Sequence, residues 1–473
     1  MQRELVIAKF GGTSVGTAER LLHVASIVQK QNEVSSIVIV LSAMSSSVKK
    51  LGTTQQLLSA AEHVLIPNST QYIDIINDIE RDHLNVVDCA IKNSDIKAGL
   101  SQRIKMDCEK LRGEKLSARI MAGVLMDKGV NSIYLSLENL IDRKLFNSNQ
   151  IDQKFYDHIV DRLKSIFQSE EYDLKKPVVP VVTGFIGQVP GSLLTTIGRG
   201  YTDLTAALIA VALSAAELQI FKEVDGIFSA DPRKVPLAKL LNTISPEEAA
   251  ELTYYGSEVI HPFTMEQVIR AKIPIRIKNT FNPDGAGTLI LPNKSLENAI
   301  PGTENNNPSK MIALHATAAT IKDEITVLNI HSNKKSHSHG FFSNIFQTLD
   351  RYLEIKGTFF NNFFRFGIIV DLISTSEVHI SMALSKPPIE EAQTALSKFG
   401  NLTIIKNCAI ISLVGKDMLS MVGIASRMFK VLSTFGVNIE MISQGASEIN
   451  ISCVVEGDKG DLALRVVHDE CCC

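Results

Sequence analysis

The sequence predicts an α/β domain with a parallel sheet, followed by two small α+β modules. Three observations carry that prediction. A strand, a glycine turn, a helix and a second strand succeed one another within residues 5–41. A second strand-to-loop-to-helix unit recurs around residue 200, and residues 346–452 contain an internal repeat.

Leu5–Phe10 is a short apolar run broken by Gly11 and Gly12. From Thr17 onward Leu21, Val24, Ala25 and Val28 recur at helical spacing, and Ser36–Leu41 (SIVIVL) reads as a second buried strand. This is a βαβ unit, whose crossover is nearly always right-handed. Residues from about 50 to 170 are mostly helical in pattern, and Pro177–Val189 returns to strand character. Gly184, Gly187, Gly191, Gly198 and Gly200 then punctuate a loop, and Thr202 or Asp203 opens a helix over Leu204–Leu213. Leu218–Lys222 is another buried strand, followed by the turn signals Asp225-Gly226 and Asp231-Pro232. The domain closes around Gly287–Leu291, and Pro292–Pro308, poor in large apolar residues, reads as a linker.

Beyond the linker, Phe346, Leu349 and Tyr352 match Phe429, Leu432 and Phe435 at an offset of 83 residues. The segment from Gly367 (GIIVDLIS) matches that from Gly436 (GVNIEMIS) at an offset of 69, so the first copy carries a 14-residue insertion at 353–366. Ser376-Glu-Val-His-Ile-Ser pairs with Ser447-Glu-Ile-Asn-Ile-Ser at an offset of 71. Each copy reads strand, helix, glycine, strand, turn, strand.

Composition excludes several classes. At roughly 150 residues per domain, 473 residues correspond to about three domains, and a 45% hydrophobic content is enough for a core in each. A net charge of -3 gives no global attraction to nucleic acid or an anionic membrane. The longest apolar stretches, Val178–Val189 and Leu204–Ala216, fall short of the ~18 residues a membrane span needs. Arg3, Glu4 and Lys9 interrupt the first apolar run, so no signal peptide is expected. Cys89, Cys108, Cys408 and Cys453 have neither disulfide nor metal spacing, which points to a reducing cytoplasm, and Cys471–Cys473 reads as a frayed terminus. His331, His337 and His339 match no standard ligand set and read as surface residues, so no metal site is assigned.

Chemistry is expected at the two glycine loops. KFGGTSV (Lys9–Val15) has the spacing of neither a Walker A loop nor GxGxxG. Gly11 and Gly12 nevertheless let backbone N–H groups approach a phosphate, with Lys9 adding positive charge and a helix N-terminus following. TTIGRGYTDLTAA (Thr195–Ala207) repeats the logic, with Arg199 on a glycine hinge before a helix.

These two loops, with RGEKLSA (Arg112–Ala118), TGFIG, VDGIFSADPR (Val224–Arg233) and VIHP (Val259–Pro262), resemble the aspartate kinases of the amino-acid kinase family. The paired C-terminal modules resemble ACT domains. VDLISTSEV (Val370–Val378) is similar to the effector segment of the monofunctional, lysine-sensitive type. The resemblance implies a carbamate kinase-like αβα sandwich over residues 1–291, a linker over 292–310, and ferredoxin-like ACT modules over 311–401 and 402–473. It also implies ATP-dependent phosphorylation of the β-carboxylate of L-aspartate with Mg²⁺, opening the route to lysine, threonine, methionine and diaminopimelate. Lysine inhibition and a homodimer or larger assembly through the ACT modules come with it.

Carried over residue by residue, the resemblance places Lys9, Gly11, Gly12 and Thr13 at the ATP phosphates, with Asp203 as the active-site acid organising Lys9. Glu114 and Arg199 hold the α-amino and α-carboxylate groups of aspartate, helped by Ser42, Gly200, Tyr201 and Thr202. Lys222, Glu223, Phe228 and Arg233 lie on the nucleotide side. Read without the resemblance, Glu114 is a solvated helix residue and Asp203 an ordinary N-cap. Lysine contacts map onto Ser338, Phe341, Phe342, Val370, Asp371, Ser376 and Glu377, with Asp371 and Glu377 neutralising its ammonium groups. Two positions depart from the family pattern: Val48 replaces a threonine near the substrate, and Glu258 a nucleotide-contacting lysine. The alternatives are another amino-acid kinase, against which the ACT pair and RGEKLSA argue, and a catalytically weak ACT-domain sensor.

Overall fold

Short strands that are apolar at every position are buried on both faces and belong inside a parallel sheet covered by helices. The computed structural model has that arrangement. It describes residues 3–45, 52–64, 66, 69–109, 113–141, 153–169, 172, 174, 177–187, 200–254, 260, 262–291, 315–332, 340–354, 370–416, 418, 421–445 and 449–473. The chain divides into two units, one formed by residues 1–227, 242–246 and 260–297 and the other by 228–241, 247–259 and 298–473.

In the first unit, β1 (Leu5–Phe10) leads through a 3₁₀ turn at Thr13–Val15 into α1 (Ala18–Val34) and β2 (Ser36–Leu41). Four helices follow: α2 (Thr53–Val64), α3 (Gln71–Ala90), α4 (Ser94–Glu109) and α5 (Gly113–Asp127). Next come β3 (Ser132–Leu135), α6 (Gln153–Phe167), β4 (Val179–Thr183), α7 (Tyr201–Ala212), β5 (Glu217–Lys222) and β6 (Thr243–Ile244). After α8 (Pro246–Tyr254) the chain forms α9 (Pro262–Arg270), β7 (Ile275–Asn279) and β8 (Thr288–Ile290). The sheet runs β3-β4-β2-β1-β5-β7-β8-β6, parallel throughout except for the antiparallel β7–β8 pair.

Strand alternation divides the core between the two faces. Ala8, Phe10, Ile39, Leu41, Val181 and Phe221 pack with α1, α3, α4 and α5, while α7 covers the other face of β1 with α6 and α9 against it. Leu204 to Ala210 are buried at every position, as a helix enclosed on all sides requires. Phe10 and Phe221 stack across adjacent strands with centroids 4.5 Å apart. Phe221→Ala is expected to cost about 3–5 kcal/mol by opening a cavity there. A urea midpoint left where the wild type has it rules out that stack as a core contact.

The second unit is built on an antiparallel sheet of ACT type. Its elements are β9 (Ala318–Ser332), α10 (Phe341–Glu354), β10 (Val370–Ser376), β11 (His379–Leu384), α11 (Glu390–Leu396), β12 (Gly400–Val414), α12 (Ile424–Thr434), β13 (Ile439–Ser443), β14 (Asn450–Glu456) and α13 (Gly460–Cys471). Both halves thus run strand, helix, strand, strand, helix, and the strands lie in the order β10-β11-β9-β12-β14-β13. The halves interleave. Residues 318–322 of β9 pair with 410–414 of β12, whereas 325–332 pair with 400–408. Ala319 accordingly shares a core with Ile411, Leu413, Met428 and Leu464, while Leu328 and Ile330 share one with Phe341, Ile345 and Leu349.

Two segments that the sequence pattern puts within residues 1–291 pack in this second unit. Ser229 accepts from Ala319 N through its carbonyl at 2.8 Å, and its hydroxyl meets His468 Nε2 at 2.9 Å. Glu248, in α8, accepts from the Thr317 hydroxyl at 2.6 Å and from Lys416 N at 2.9 Å. The run of terminal cysteines is not frayed throughout: Cys472 is partly buried and Cys473 exposed. Cys471 is fully buried at the end of α13, and burial pushes its thiol up to about 11. No helix among the described residues is long and apolar enough to cross a membrane. The linker at 292–310 lies outside the described residues up to 314, as does most of the 353–366 insertion.

Candidate active site

β4, β2, β1 and β5 are consecutive parallel strands, so their carboxyl ends share one sheet edge, where α/β folds bind ligands. The chain leaves these strands at Gly184, Ser42, Gly11 and Glu223. Lys9 is the penultimate residue of β1. With Ala8 and Phe10 turned toward α1 and α5, alternation turns Lys9 to the α7 face.

On that face Lys9 Nζ lies 2.7 Å from Asp203 Oδ1, with the two side chains 10% and 6% exposed. The contact is an ion pair rather than an aligned hydrogen bond. Asp203 is not an N-cap. Helix α7 opens at Tyr201, earlier than the pattern of Leu204–Leu213 suggests, because Gly200 caps it in the left-handed region at φ 101°. That conformation suits glycine and strains other residues. It leaves Asp203 inside the first turn, free to reach Lys9. The Thr205 hydroxyl donates to Gly184 O at 2.6 Å and ties the same turn to the end of β4.

The glycine turn forms the other wall. A Cβ built on Gly11 would lie 3.9 Å from Lys9 Nζ and 4.0 Å from Thr13 Oγ1, so the space over Gly11 is flanked by an ammonium and a hydroxyl. The backbone there is open on one side and has a cation beside it. Gly12 is required for a different reason. A Cβ there would come within 2.3 Å of Ala43 O, because the turn packs directly on the loop after β2, and Ser45 N donates to Gly12 O at 3.0 Å. No long helix starts at the glycines: the 3₁₀ turn intervenes, and α1 is capped by its own Thr17, whose hydroxyl accepts from Arg20 N at 3.3 Å. Positive charge at the turn comes from the side chains of Lys9 and of Arg20, whose guanidinium donates to Thr13 O at 2.8 Å. The Thr13 hydroxyl donates to the Glu223 carboxylate, which joins the turn to the end of β5.

Ser117 is a contributor that the sequence reading did not single out. Its hydroxyl, on α5, donates to Ser42 O at 2.8 Å. The signal was present in RGEKLSA, where Ser117 follows Glu114 by three residues and so shares its helix face. Glu114 begins α5, but its side chain, like Arg199, Val48 and Glu258, lies outside the described residues. Helix α5 itself is held by Lys115 to Glu138 and by Arg119 to Asp107 at 2.5 Å. Arg119 also lies 4.3 Å from the Tyr134 ring centroid, and burial pushes the Tyr134 hydroxyl up to about 12.

The nucleotide-side residues fall in two places. Lys222 ends β5 and Glu223 follows it in the first unit, whereas Phe228 and Arg233 belong to the second. Phe228 bridges to Leu240. Arg233 forms a fork with Asp231 at 2.7 and 3.0 Å, and that guanidinium holds the Asp231 carboxyl below its usual range.

In the ACT unit, Gly340 at φ 81° precedes α10, which starts with Phe341 and Phe342, their rings 5.3 Å apart. Val370, Asp371 and Ser376 lie on β10, and Glu377 lies in the exposed turn to β11. Asp371 is not open to a ligand as expected: Lys322 Nζ lies 2.5 Å from it. Ser338 lies outside the described residues.

Known proteins share the sequence pattern and the fold of this chain. The pattern of the amino acid kinase family matches residues 4–279, and that of the ACT domain matches residues 411–471. The aspartokinase of Candida albicans is 44% identical, over 98% of this chain and 89% of that protein. The chain is an aspartokinase-family member. Among solved structures, E. coli aspartokinase III in complex with aspartate and ADP matches with a TM-score of 0.70 and 26% identity, covering 99% of each chain. The same E. coli enzyme in complex with lysine and aspartate matches at 0.71 and 26%, covering 98% of this chain and 99% of that one. This member of the family has a buried lysine–aspartate pair beside a glycine turn on the carboxyl edge of its parallel sheet.

Proposed function

We propose that the protein transfers the γ-phosphoryl group of ATP to the β-carboxylate of L-aspartate, releasing ADP and 4-phospho-L-aspartate. The observation that carries this reading is the buried Lys9–Asp203 pair beside the open cradle at Gly11. The complex of the E. coli relative with aspartate and ADP supports the choice of substrates.

The chemistry suits a site without a general base. A carboxylate with a pKa of about 4 is already ionised near neutrality, so a β-carboxylate oxygen attacks the γ-phosphorus directly. The bond to the bridging oxygen breaks, and that oxygen leaves on ADP. The obstacle is repulsion between two anions, so catalysis consists of positioning and positive charge. Lys9 supplies the charge and Asp203 fixes where its ammonium sits. Gly11, Gly12 and Thr13 fit the phosphates, because no side chain fills the space over Gly11 and the Lys9 ammonium lies beside it. Mg²⁺ arrives with ATP and neutralises part of the triphosphate charge. Glu114 and Arg199 bind the α-amino and α-carboxylate groups, and Ser42 with Gly200, Tyr201 and Thr202 completes the acceptor side. Lys222 and Glu223 serve the nucleotide side.

The ACT unit regulates the reaction by binding a free amino acid at Phe341, Phe342, Val370, Ser376 and Glu377, with Asp371 closed to it by Lys322. The lysine complex of the E. coli relative supports an amino-acid effector. Such a ligand inhibits only by binding an inactive arrangement more tightly than the active one. A homodimer formed through the ACT unit belongs to the same reading. The free cysteines suit a cytoplasmic location.

The test is ADP release by the purified protein with Mg-ATP and aspartate, glutamate or no acceptor. Release that requires aspartate is expected. Equal release with glutamate transfers the reading to another amino-acid kinase, and none with any acceptor leaves an amino-acid sensor.

A further inference from the structure

Where α13 ends, three side chains of metal-binding type converge. His468 Nδ1 lies 3.2 Å from Asp469 Oδ1 and 3.9 Å from Cys473 Sγ. The three donor atoms all lie within 4.8 Å of one another, and no other group of three His, Cys or acidic side chains does so among the described residues. Local folding brings them together. The helix runs to Cys471, and Cys472 N then donates to His468 O at 2.8 Å. That turn carries the Cys473 thiol back beside the imidazole.

The spacing suits a shared cation. Tetrahedral zinc with N, O and S ligands at about 2.0–2.3 Å has edges between ligands of about 3.3–3.6 Å, and the two separations at Nδ1 bracket that range. A thiol at 3.9 Å from a ring nitrogen is by contrast a weak hydrogen bond. The imidazole is also held as a ligand is held. Its ring is buried, and Nε2 meets the Ser229 hydroxyl at 2.9 Å. That hydroxyl is fixed in turn, because it accepts from Lys239 N at 2.9 Å. A metal-bound histidine characteristically donates its second N–H to such a partner, which sets ring orientation and tautomer. Nδ1 is left to face Asp469 and Cys473. The outer side is accessible, with the Asp469 side chain 40% exposed and Cys473 exposed, so an ion has an entry path. Ser229, His468 and Asp469 also follow the order of a hydrolytic triad, but Ser229 is buried and its hydroxyl engaged by Lys239 N, so no substrate reaches it.

We propose that His468 Nδ1, Asp469 and Cys473 form a zinc site, with a fourth position left to water. Thiolate and imidazole favour zinc over magnesium or calcium, which take oxygen ligands. This ion is separate from the magnesium that accompanies ATP, because its ligands belong to the second unit and Lys9 to the first. Its role is structural. It fastens the end of α13 to the Ser229 segment and, through Ala316 N donating to Cys471 O at 2.8 Å, to the chain entering β9.

The test uses the full chain, stripped with a chelator, kept reduced, and titrated with cobalt(II) chloride and zinc chloride without nucleotide. Cobalt(II) is expected to give a thiolate-to-metal charge-transfer absorption that saturates at one ion per chain and is lost on adding zinc. Zinc is expected to raise the melting temperature. Cys473→Ser should abolish the absorption, and Asp469→Asn should weaken zinc about tenfold or more. Both side chains are exposed enough for the variants to fold, whereas Cys472→Ser should bind as the wild type does. A wild type without the absorption, or an absorption that survives in Cys473→Ser, overturns the site. Loss in both Cys472→Ser and Cys473→Ser, with Asp469→Asn unchanged, assigns the ion to the cysteine run alone and overturns it as well. None of these readings depends on turnover, so a negative result leaves the phosphoryl-transfer reading in place.

Discussion

Replacing Lys9 by alanine is expected to lower kcat by about 10³-fold or more, the scale of removing one preorganised charge-stabilising donor from an active site. The loss falls on turnover rather than on aspartate binding, because Lys9 flanks the phosphate cradle and not the acceptor side. Stability should fall as well. Asp203 is buried, and breaking a buried pair from one side costs about 3–5 kcal/mol, since the remaining charge has no partner. Lys9→Met/Asp203→Asn separates the two effects: it removes both charges at similar volume and should melt nearer the wild type while remaining inactive. Steady-state kinetics and thermal melting on both variants provide the check. Substantial turnover by a folded Lys9→Ala protein would remove the phosphate assignment.

The second large effect is expected at Gly12. Its backbone is in the ordinary helical region, at φ −61° and ψ −34°, so conformational strain is not the reason for glycine there. The reason is contact: a side chain would drive into Ala43 O at 2.3 Å and Ser45 Cβ at 3.2 Å, and a backbone carbonyl cannot rotate aside. Gly12→Val must therefore push the turn off the loop after β2. A displacement of about 1 Å is enough to cost roughly 10²-fold in rate, and overpacking costs about 1–3 kcal/mol of stability. Kinetics of Gly12→Val with near wild-type kcat/KM for both substrates would show that the turn does not need that contact.

The parts of the fold legible in the sequence are those with a strong local signal. β1 and β2 span the expected residues, and β5 begins one residue earlier than expected, because unbroken apolar runs between turn residues have few other uses. β3 was lost within a helical stretch because it is four residues long with a half-buried pattern. The two-residue β6 offers no periodicity at all. The start of α7 was misplaced because a left-handed glycine caps it, and the pattern of apolar residues begins only at Leu204.

The site divides in the same way. Gly11 and Gly12 announced a close approach by composition alone. The role of Asp203 came only with the family resemblance, since its partner is 194 positions away in the chain and lies across a helix–strand contact. Lys322 had no signal whatever. Its contact with Asp371 needs a shifted register in each of two strands, and no spacing rule encodes that.

The interleaving of β9 and β12 sets an order of assembly. Residues 318–322 are made early, but their strand partners are residues 410–414, so the first half of the ACT unit must be synthesised, and its loop closed, before that edge is covered. Until then, Ala319 has no Ile411 or Leu413 to pack against. A fragment that begins at residue 402 would keep three of the six strands, with the β12 edge open to other chains. The chain thus behaves as a clasp whose two ends are sewn into one seam: cutting between the halves yields two incomplete pieces, not two domains.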